Sequence, residues 1–351
     1  MFSLFDHPHF EMLLGREDLK ALFAPEAEVQ AMLRFEASLA LAEADAGVIP
    51  EAMADAVVAA IDGFEPDHGA LAAGVARDGV LVPSLIAALR QTLDEAHRAH
   101  LHFGATSQDA IDTGLMLRLK AACALLRDDI EAVISKLEQH AVVAGGRPLM
   151  GRTRMQRALQ VRVADRIGIW RGTLVHHLEA LDRLEDEVLA VQFGGPVGTL
   201  EALGDRGAAV RAGLAKRLGL KDPGGCWHTE RGRIVDLATW LSKVSGALGK
   251  IGQDVALMAQ SEIGEATLSG GGRSSAMAHK RNPVRAEVLV ALARYNAVEL
   301  GALHQALVHE GERSGSAWTL EWLALPTMIA TTGAALANAS AMIDDLKFVQ
   351  N

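Results

Sequence analysis

The chain has 351 residues, is 50% hydrophobic and only 4% aromatic, and carries a formal net charge of −10. That length supports a large core and more than one domain. The acidity excludes an overall nucleic-acid footprint, so an anionic partner needs a local positive field. Cys123 and Cys226 lie far apart without metal-ligand spacing, which points to a reducing cytoplasm. The opening MFSLFDHPHF has neither a basic nor an apolar leader region, so no signal peptide is expected. No apolar run approaches the ~18 residues of a membrane span, and no membrane partner is expected.

Residues 1–100 hold several short helical patterns, punctuated by Pro25, Gly47 with Pro50, Gly63 with Pro66, and Pro83. They read as an N-terminal helical domain. Residues 101–351 carry much longer periodic runs and read as a central long-helix bundle. Leu126, Ile130, Val133, Leu137 and Ala141 form one helical stripe, stopped near Gly145, Gly146 and Pro148. From Gln156 to Val191 there is no proline and the apolar spacing stays helical, which predicts one helix about 50 Å long. Ile234, Leu237, Leu241, Val244, Leu248, Ile251, Val255 and Met258 then keep a sustained heptad. Ser242, Ser245, Gly246, Gly249 and Gly252 lie between them and allow close helix approach. A further helix is expected from Pro283 to about His309, and a last one along Trp322, Leu325, Ile329, Thr332, Leu336, Ala339, Ile343 and Leu346. Strand signals are scarce. The expected fold is all-α, a bundle of very long helices. Its heptad and other stripes are expected to form the core of an oligomer.

Three polar or glycine-rich stretches interrupt the helices: His102–Asp109 (HFGATSQD), Gly151–Gln156 (GRTRMQ) and Gly270–Pro283 (GGGRSSAMAHKRNP). Each lies at the end of a predicted long helix, where free N–H groups and the helix dipole favour carboxylates. Asn282 followed by Pro283 reads as an N-cap with proline at the first helical position. A phosphate loop needs G-x-x-x-x-G-K-[ST] after a strand; here Arg281 follows Lys280 and no strand precedes. Composition alone leaves a flexible linker open. There is no H-E-x-x-H pair and no dinucleotide fingerprint, so neither metal nor cofactor is expected. The Asp/Glu clusters read as solvated helix faces.

SSAMAHKRNP resembles the signature of the fumarase/aspartase superfamily, G-S-S-x-M-P-x-K-x-N-P. GATSQD and GRTRMQ are similar to its two other hallmark regions, in the same order, and FGGPVGTL (193–200) also resembles it. The stretches HFGATSQDAIDTG, PLMGRTRMQ, VQFGGPVGTL and CWHTERGRIV are most similar to the lactonizing branch of that superfamily. The resemblance covers nearly the whole chain. It implies a cofactor-free intramolecular lyase that closes a lactone on a muconate with an anionic 3-substituent, carboxylate or sulfonate, in aromatic catabolism. It also implies a homotetramer whose sites are shared between subunits. A superfamily lyase releasing fumarate from a succinyl adduct, or an inactive helical paralogue, are the alternatives.

By the same resemblance, Ser274 transfers the proton, while Lys280 and Asn282 hold the carboxylate on which charge accumulates. A hydroxyl is a poor base unless loop N–H groups, Lys280 and exclusion of water stabilise its alkoxide, and Gly270–Gly272 are expected to hinge such a lid. Thr106, Ser107 and Gln156 bind substrate carboxylates, with His102 or His140 as further candidates. Arg273 and Arg281 strengthen the positive field. Three positions depart from the pattern. Ala278 replaces a proline. Asn351 ends the chain where relatives continue into a small helical domain, so that domain is expected to be missing. Arg154 stands where the lyases carry a catalytic histidine. An expelled amine must be protonated, whereas a carboxylate leaving group, with a pKa of about 4, needs no proton at neutral pH. Arg154 offers instead a charge for an extra anion, which favours a polyanionic muconate.

Overall fold

The computed structural model describes residues 4–277 and 279–349. Ala278 and Asn351, two of the positions that depart from the superfamily pattern, lie outside the described residues, as do Met1 to Ser3 and Gln350.

Short helices α1 (Glu11–Leu14) and α2 (Glu17–Ala21) lead into α3 (Pro25–Asp45), α4 (Glu51–Asp62), α5 (His68–Asp78) and α6 (Val82–Gln91). Their ends follow the local chemistry. Pro25 opens α3, where its missing N–H costs nothing. The Asp67 carboxylate accepts the N–H groups of Gly69 and Ala70 to start α5. Helix α7 (Ser107–Ala144) has 38 residues, about 57 Å. A hairpin of β1 (Pro148–Thr153) and β2 (Gln156–Arg162) follows, then α8 (Val163–Val188), α9 (Gly207–Leu218) and α10 (Gly232–Met258). The chain continues through β3 (Ala266–Leu268), β4 (Gly272–Arg273), β5 (Arg281–Asn282), α11 (Val284–Gln305), α12 (Gly315–Asp345) and β6 (Leu346–Phe348). Strands β3 and β6 pair antiparallel, as do β4 and β5. The result is an all-α long-helix bundle carrying small two-stranded ribbons.

Helix α10 is the central rod. All eight heptad residues from Ile234 to Met258 are buried, packed by this chain's own α8, α11 and α12. The stripe therefore does not wait for another copy, contrary to the expectation from the heptad. At roughly 1.5–3 kcal/mol for each buried large aliphatic side chain, it is a main source of stability. Its glycines act as expected against α11: a β-carbon on Gly249 would stand 2.5 Å from that of Ala293, and one on Gly252 would stand 2.6 Å from the Ala286 carbonyl.

The structure differs from the sequence reading in two further places. The helix expected from Gln156 starts only at Val163, because Gln156–Arg162 pair with β1 and the Arg162 N–H then donates to Asp165 at the helix start. Asn282 does not cap α11; it is held in β5 opposite Gly272, and α11 begins at Val284. Helix α12 is long and apolar enough, by length and composition, to cross a membrane, but 61% of its most apolar window is buried inside the bundle, as befits a core helix.

Candidate functional site

The first motif opens α7. Thr106 is the N-cap, and its N–H donates to the Asp109 carboxylate at 3.0 Å. Asp109 also accepts the N–H groups of Gly194 and Gly195, each at 2.9 Å, and His228 Nε2 at 2.8 Å. Three separate stretches of sequence, HFGATSQD, FGGPVGTL and CWHTER, are thus tied to one buried carboxylate. Glycine is required where they touch: Gly195 has φ +70°, and a β-carbon there would stand 2.8 Å from the Gly104 carbonyl. Burial alone would lower the His228 pKa; the bond to Asp109, with Cys226 adding, outweighs it and pushes His228 up to about 9.

One turn further along α7, Asp112 accepts Arg231 Nη1 at 2.7 Å and Nη2 at 3.1 Å. Arg231 also donates to Glu321 of α12, from Nε at 2.8 Å and Nη2 at 2.6 Å, and stacks over Trp227 at 4.8 Å. Arg231, Asp112 and Glu321 are buried together. Burial works against the Arg231 charge, but Asp112 and Glu321 more than offset it and hold the guanidinium charged. Reading acidic clusters as solvated faces therefore fails here, because these carboxylates have fixed partners inside the bundle. The i, i+3 spacing of Asp109 and Asp112 on one helix face was the available signal; their cationic partners come from elements more than a hundred residues away.

The second and third motifs lie at the other end. Helix α7 separates the first motif from β1 by its own length of 38 residues, about 57 Å. The second motif forms the tip of the β1–β2 hairpin, with Arg154 and Met155 as a two-residue turn between Thr153 and Gln156. Both have positive φ, +49° and +68°, a conformation that usually calls for Asn or Gly and costs roughly 1–2 kcal/mol per non-glycine residue. Such strain marks a loop shaped for something other than stability. Arg152 is committed to Glu265, with its Nη1 at 2.9 and 2.8 Å from the two oxygens. Arg154 and Gln156 are exposed, and Arg154 has no ion pair among the described residues. It lines a cleft of about 620 Å³ between the hairpin, the start of α8 and the end of α10.

The third motif is a loop closed by the β4–β5 ribbon, in which Gly272 pairs with Asn282 and Arg273 with Arg281. Two like charges directly opposite each other repel, and both side chains are exposed. The Ser274 hydroxyl accepts the N–H groups of Ala276 at 3.3 Å and Met277 at 3.0 Å. Lys280, Arg281 and Asn282 line a cleft of about 760 Å³ against the end of α10 and Glu287. Leu257 and Gln260 wall both clefts, so the second and third motifs share one end of one helix. Gly270–Gly272, expected as a hinge, are closely packed here. None has positive φ; a β-carbon on Gly270 would meet Asp345 Oδ2 at 2.2 Å, and one on Gly272 would meet Val284 at 2.5 Å. These glycines serve close packing.

Among the candidate residues, then, Ser274, Lys280, Asn282, Arg273, Arg281, Arg154 and Gln156 gather at one end, while Thr106, Ser107 and His102 stand at the other. His140 belongs to neither set: its Nε2 donates to the Ile343 carbonyl at the end of α12, at 2.8 Å. The residues missed by sequence reasoning are Glu36, which bonds His102, and the buried set around Asp109 and Arg231.

A bundle of long helices with these three loops at its ends defines a lyase scaffold. The lyase family matches residues 15–295, and the chain belongs to it, within the fumarase/aspartase superfamily. It is 39% identical to a 3-carboxy-cis,cis-muconate cycloisomerase of Pseudomonas aeruginosa, over 96% of this chain and 75% of that protein. The crystal structure of the 3-carboxy-cis,cis-muconate lactonizing enzyme of Pseudomonas putida superposes with a TM-score of 0.90 at 36% identity, covering 97% of this chain and 77% of that one. An N-acetyl-S-(2-succino)cysteine lyase of Enterococcus italicus is 32% identical, over 94% of this chain and 73% of that protein.

Proposed function

We propose that the chain is a cycloisomerase that interconverts 3-carboxy-cis,cis-muconate, or an analogue with another anionic 3-substituent such as sulfonate, and the corresponding muconolactone. The observation that carries this reading is Arg154. It occupies the tip of a strained turn, free of any ion pair among the described residues, where the lyases carry an acid histidine. A free guanidinium serves a third anion on the substrate. It does not serve the protonation of an amine.

In the lactonizing direction a substrate carboxylate oxygen adds across a ring-forming double bond, and a proton is delivered to the carbon next to a second carboxylate. In reverse, Ser274 takes that proton and the lactone oxygen leaves as carboxylate. The N–H groups of Ala276 and Met277 on the Ser274 oxygen favour its alkoxide. Lys280 and Asn282 bind the carboxylate that becomes electron-rich, in the manner of an oxyanion hole. Thr106, Ser107 and Gln156 bind the remaining carboxylates, and Arg273 and Arg281 draw the polyanion in. Residues 1–100 act as an N-terminal helical domain beside a central bundle of residues 101–351.

The site is shared in a homotetramer. Its parts stand at opposite ends of α7, too far apart for one small substrate. The hairpin end also leaves Val142 (87%), Met155 (70%) and Leu159 (79%) open, an apolar surface suited to another copy. Two unpaired cysteines agree with a cytoplasmic setting.

The similarity to a succinocysteine lyase supports a second reading, release of fumarate from a succinyl thioether. A substrate panel separates the two. The diene absorbance of muconates should fall on addition of enzyme, while succinyl adducts of thiols and amines persist. Cleavage of a succinyl adduct with muconates untouched would overturn the proposal.

A further inference from the structure

His102 is in an unusual setting. Its backbone is left-handed, with φ +61°, a conformation that side chains rarely adopt unless something holds them there. Its Nδ1 lies 2.6 Å from Oε1 of Glu36, on α3. Glu36 is 1% exposed, and its second oxygen has no partner. The ring keeps 13% of its surface open, and its Nε2 has no partner among the described residues. A buried carboxylate with a single close partner is costly unless that partner is cationic. The charges around the pair come from every packed element. On α3, Glu43 lies beneath, pushed up to about 9 by burial and by Glu36, and so uncharged at neutral pH. From α7 comes Asp109, and from α6 Arg90, whose Nη2 donates to the Leu101 carbonyl.

We propose that Glu36 is the positioning residue for His102, fixing it as an imidazolium whose Nε2–H turns away from α3 to bind a substrate carboxylate. The inference deepens the cycloisomerase reading and rests on the first motif facing substrate. Burial lowers the His102 pKa, but the charge and hydrogen bond of Glu36, with Asp109 adding, outweigh burial and Arg90, so it is raised. The imidazolium therefore persists to higher pH than an ordinary histidine would allow.

The test is an NMR titration of the His102 ring in the full chain, wild type and Glu36→Gln, beside pH profiles of kcat and kcat/KM for 3-carboxy-cis,cis-muconate. In Glu36→Gln the His102 midpoint should fall, and the alkaline limb of kcat/KM should move down with it. At pH 8, KM should rise roughly tenfold, the scale of one charge-assisted hydrogen bond, with kcat little changed. Glu36→Asp should restore part of both effects. A folded Glu36→Gln protein whose His102 midpoint or alkaline limb stays in place overturns the inference. Should Glu36→Gln not fold, His102→Gln takes its place: the alkaline limb should disappear, and its persistence overturns the inference. Wild-type protein inert toward muconates would instead defeat the cycloisomerase reading, and the midpoint shift would still report the hold of Glu36 on His102.

Discussion

The two ends of the bundle are built differently. At the first-motif end, Asp109, His228, Asp112, Arg231 and Glu321 are buried and bonded to one another or to backbone N–H groups of the same chain. At the hairpin end, Arg154, Lys280, Arg273 and Arg281 are exposed, with no ion pair among the described residues. The first end is finished by folding; the second has spare positive charge and open apolar surface. Variants of this buried charged set should therefore act on stability, and variants at the second end on turnover with the fold intact.

Ser274→Ala should show the largest effect. General acid–base groups contribute roughly 10²–10⁴-fold, so kcat should fall within that range while the melting temperature stays put, since the hydroxyl accepts only two N–H groups of its own loop. Thr106→Ala, at the opposite end, should also be inactive. Dissociating and reassembling the two inactive proteins together should recover activity that neither has alone. Recovery from neither mixing ratio would place each site within one chain and remove the contrast.

Arg231→Ala sharpens the other side. Removing one partner of a buried ion pair costs roughly 3–5 kcal/mol, and here two carboxylates, Asp112 and Glu321, are left without their guanidinium. Thermal or denaturant unfolding should show the loss. A variant as stable as wild type would mean that this end is not the saturated one.

Arg154→Ala comes next. A hydrogen bond to a charged group is worth about 1.5–3 kcal/mol, so kcat/KM for the tricarboxylate should drop by roughly 10–100-fold, and by less for unsubstituted muconate. Equal losses for both substrates would assign Arg154 to shaping the turn instead of reading the third anion. Arg154→His should not by itself create a succinyl lyase.

The smallest effect is a pH dependence. Glu43 is buried without partners and is raised from an ordinary 4.5 to about 9. The unfolded chain loses that proton first, so stability should decline as pH rises from about 5 to about 9. His228, raised from 6.5 to about 9, contributes stability that is full below 6.5 and lost as pH climbs through 9. Glu43→Gln should thus flatten the alkaline decline without abolishing it. Superimposable pH–stability curves would show that Glu43 is not buried as a neutral acid.

The sequence by itself determined the helices with a strong apolar period and the loops that interrupt them. The α10 stripe from Ile234 to Met258 and the close approach of Gly249 and Gly252 to α11 were legible because period and side-chain size are local properties. The motif loops were recognisable through resemblance, and the family itself with them. Only the tertiary structure decided the rest. Gln156–Arg162 became a strand because β1 offers hydrogen bonds that no local propensity records. Asn282 went into a ribbon with Gly272 instead of capping α11. Asp112 and Glu321 gained their meaning only when Arg231, far away in sequence, was brought between them. Glu36 gave no signal at all, since its meaning depends on a histidine 66 positions away. Burial and charge pairing are properties of neighbours in space, and the folded chain alone supplies those neighbours.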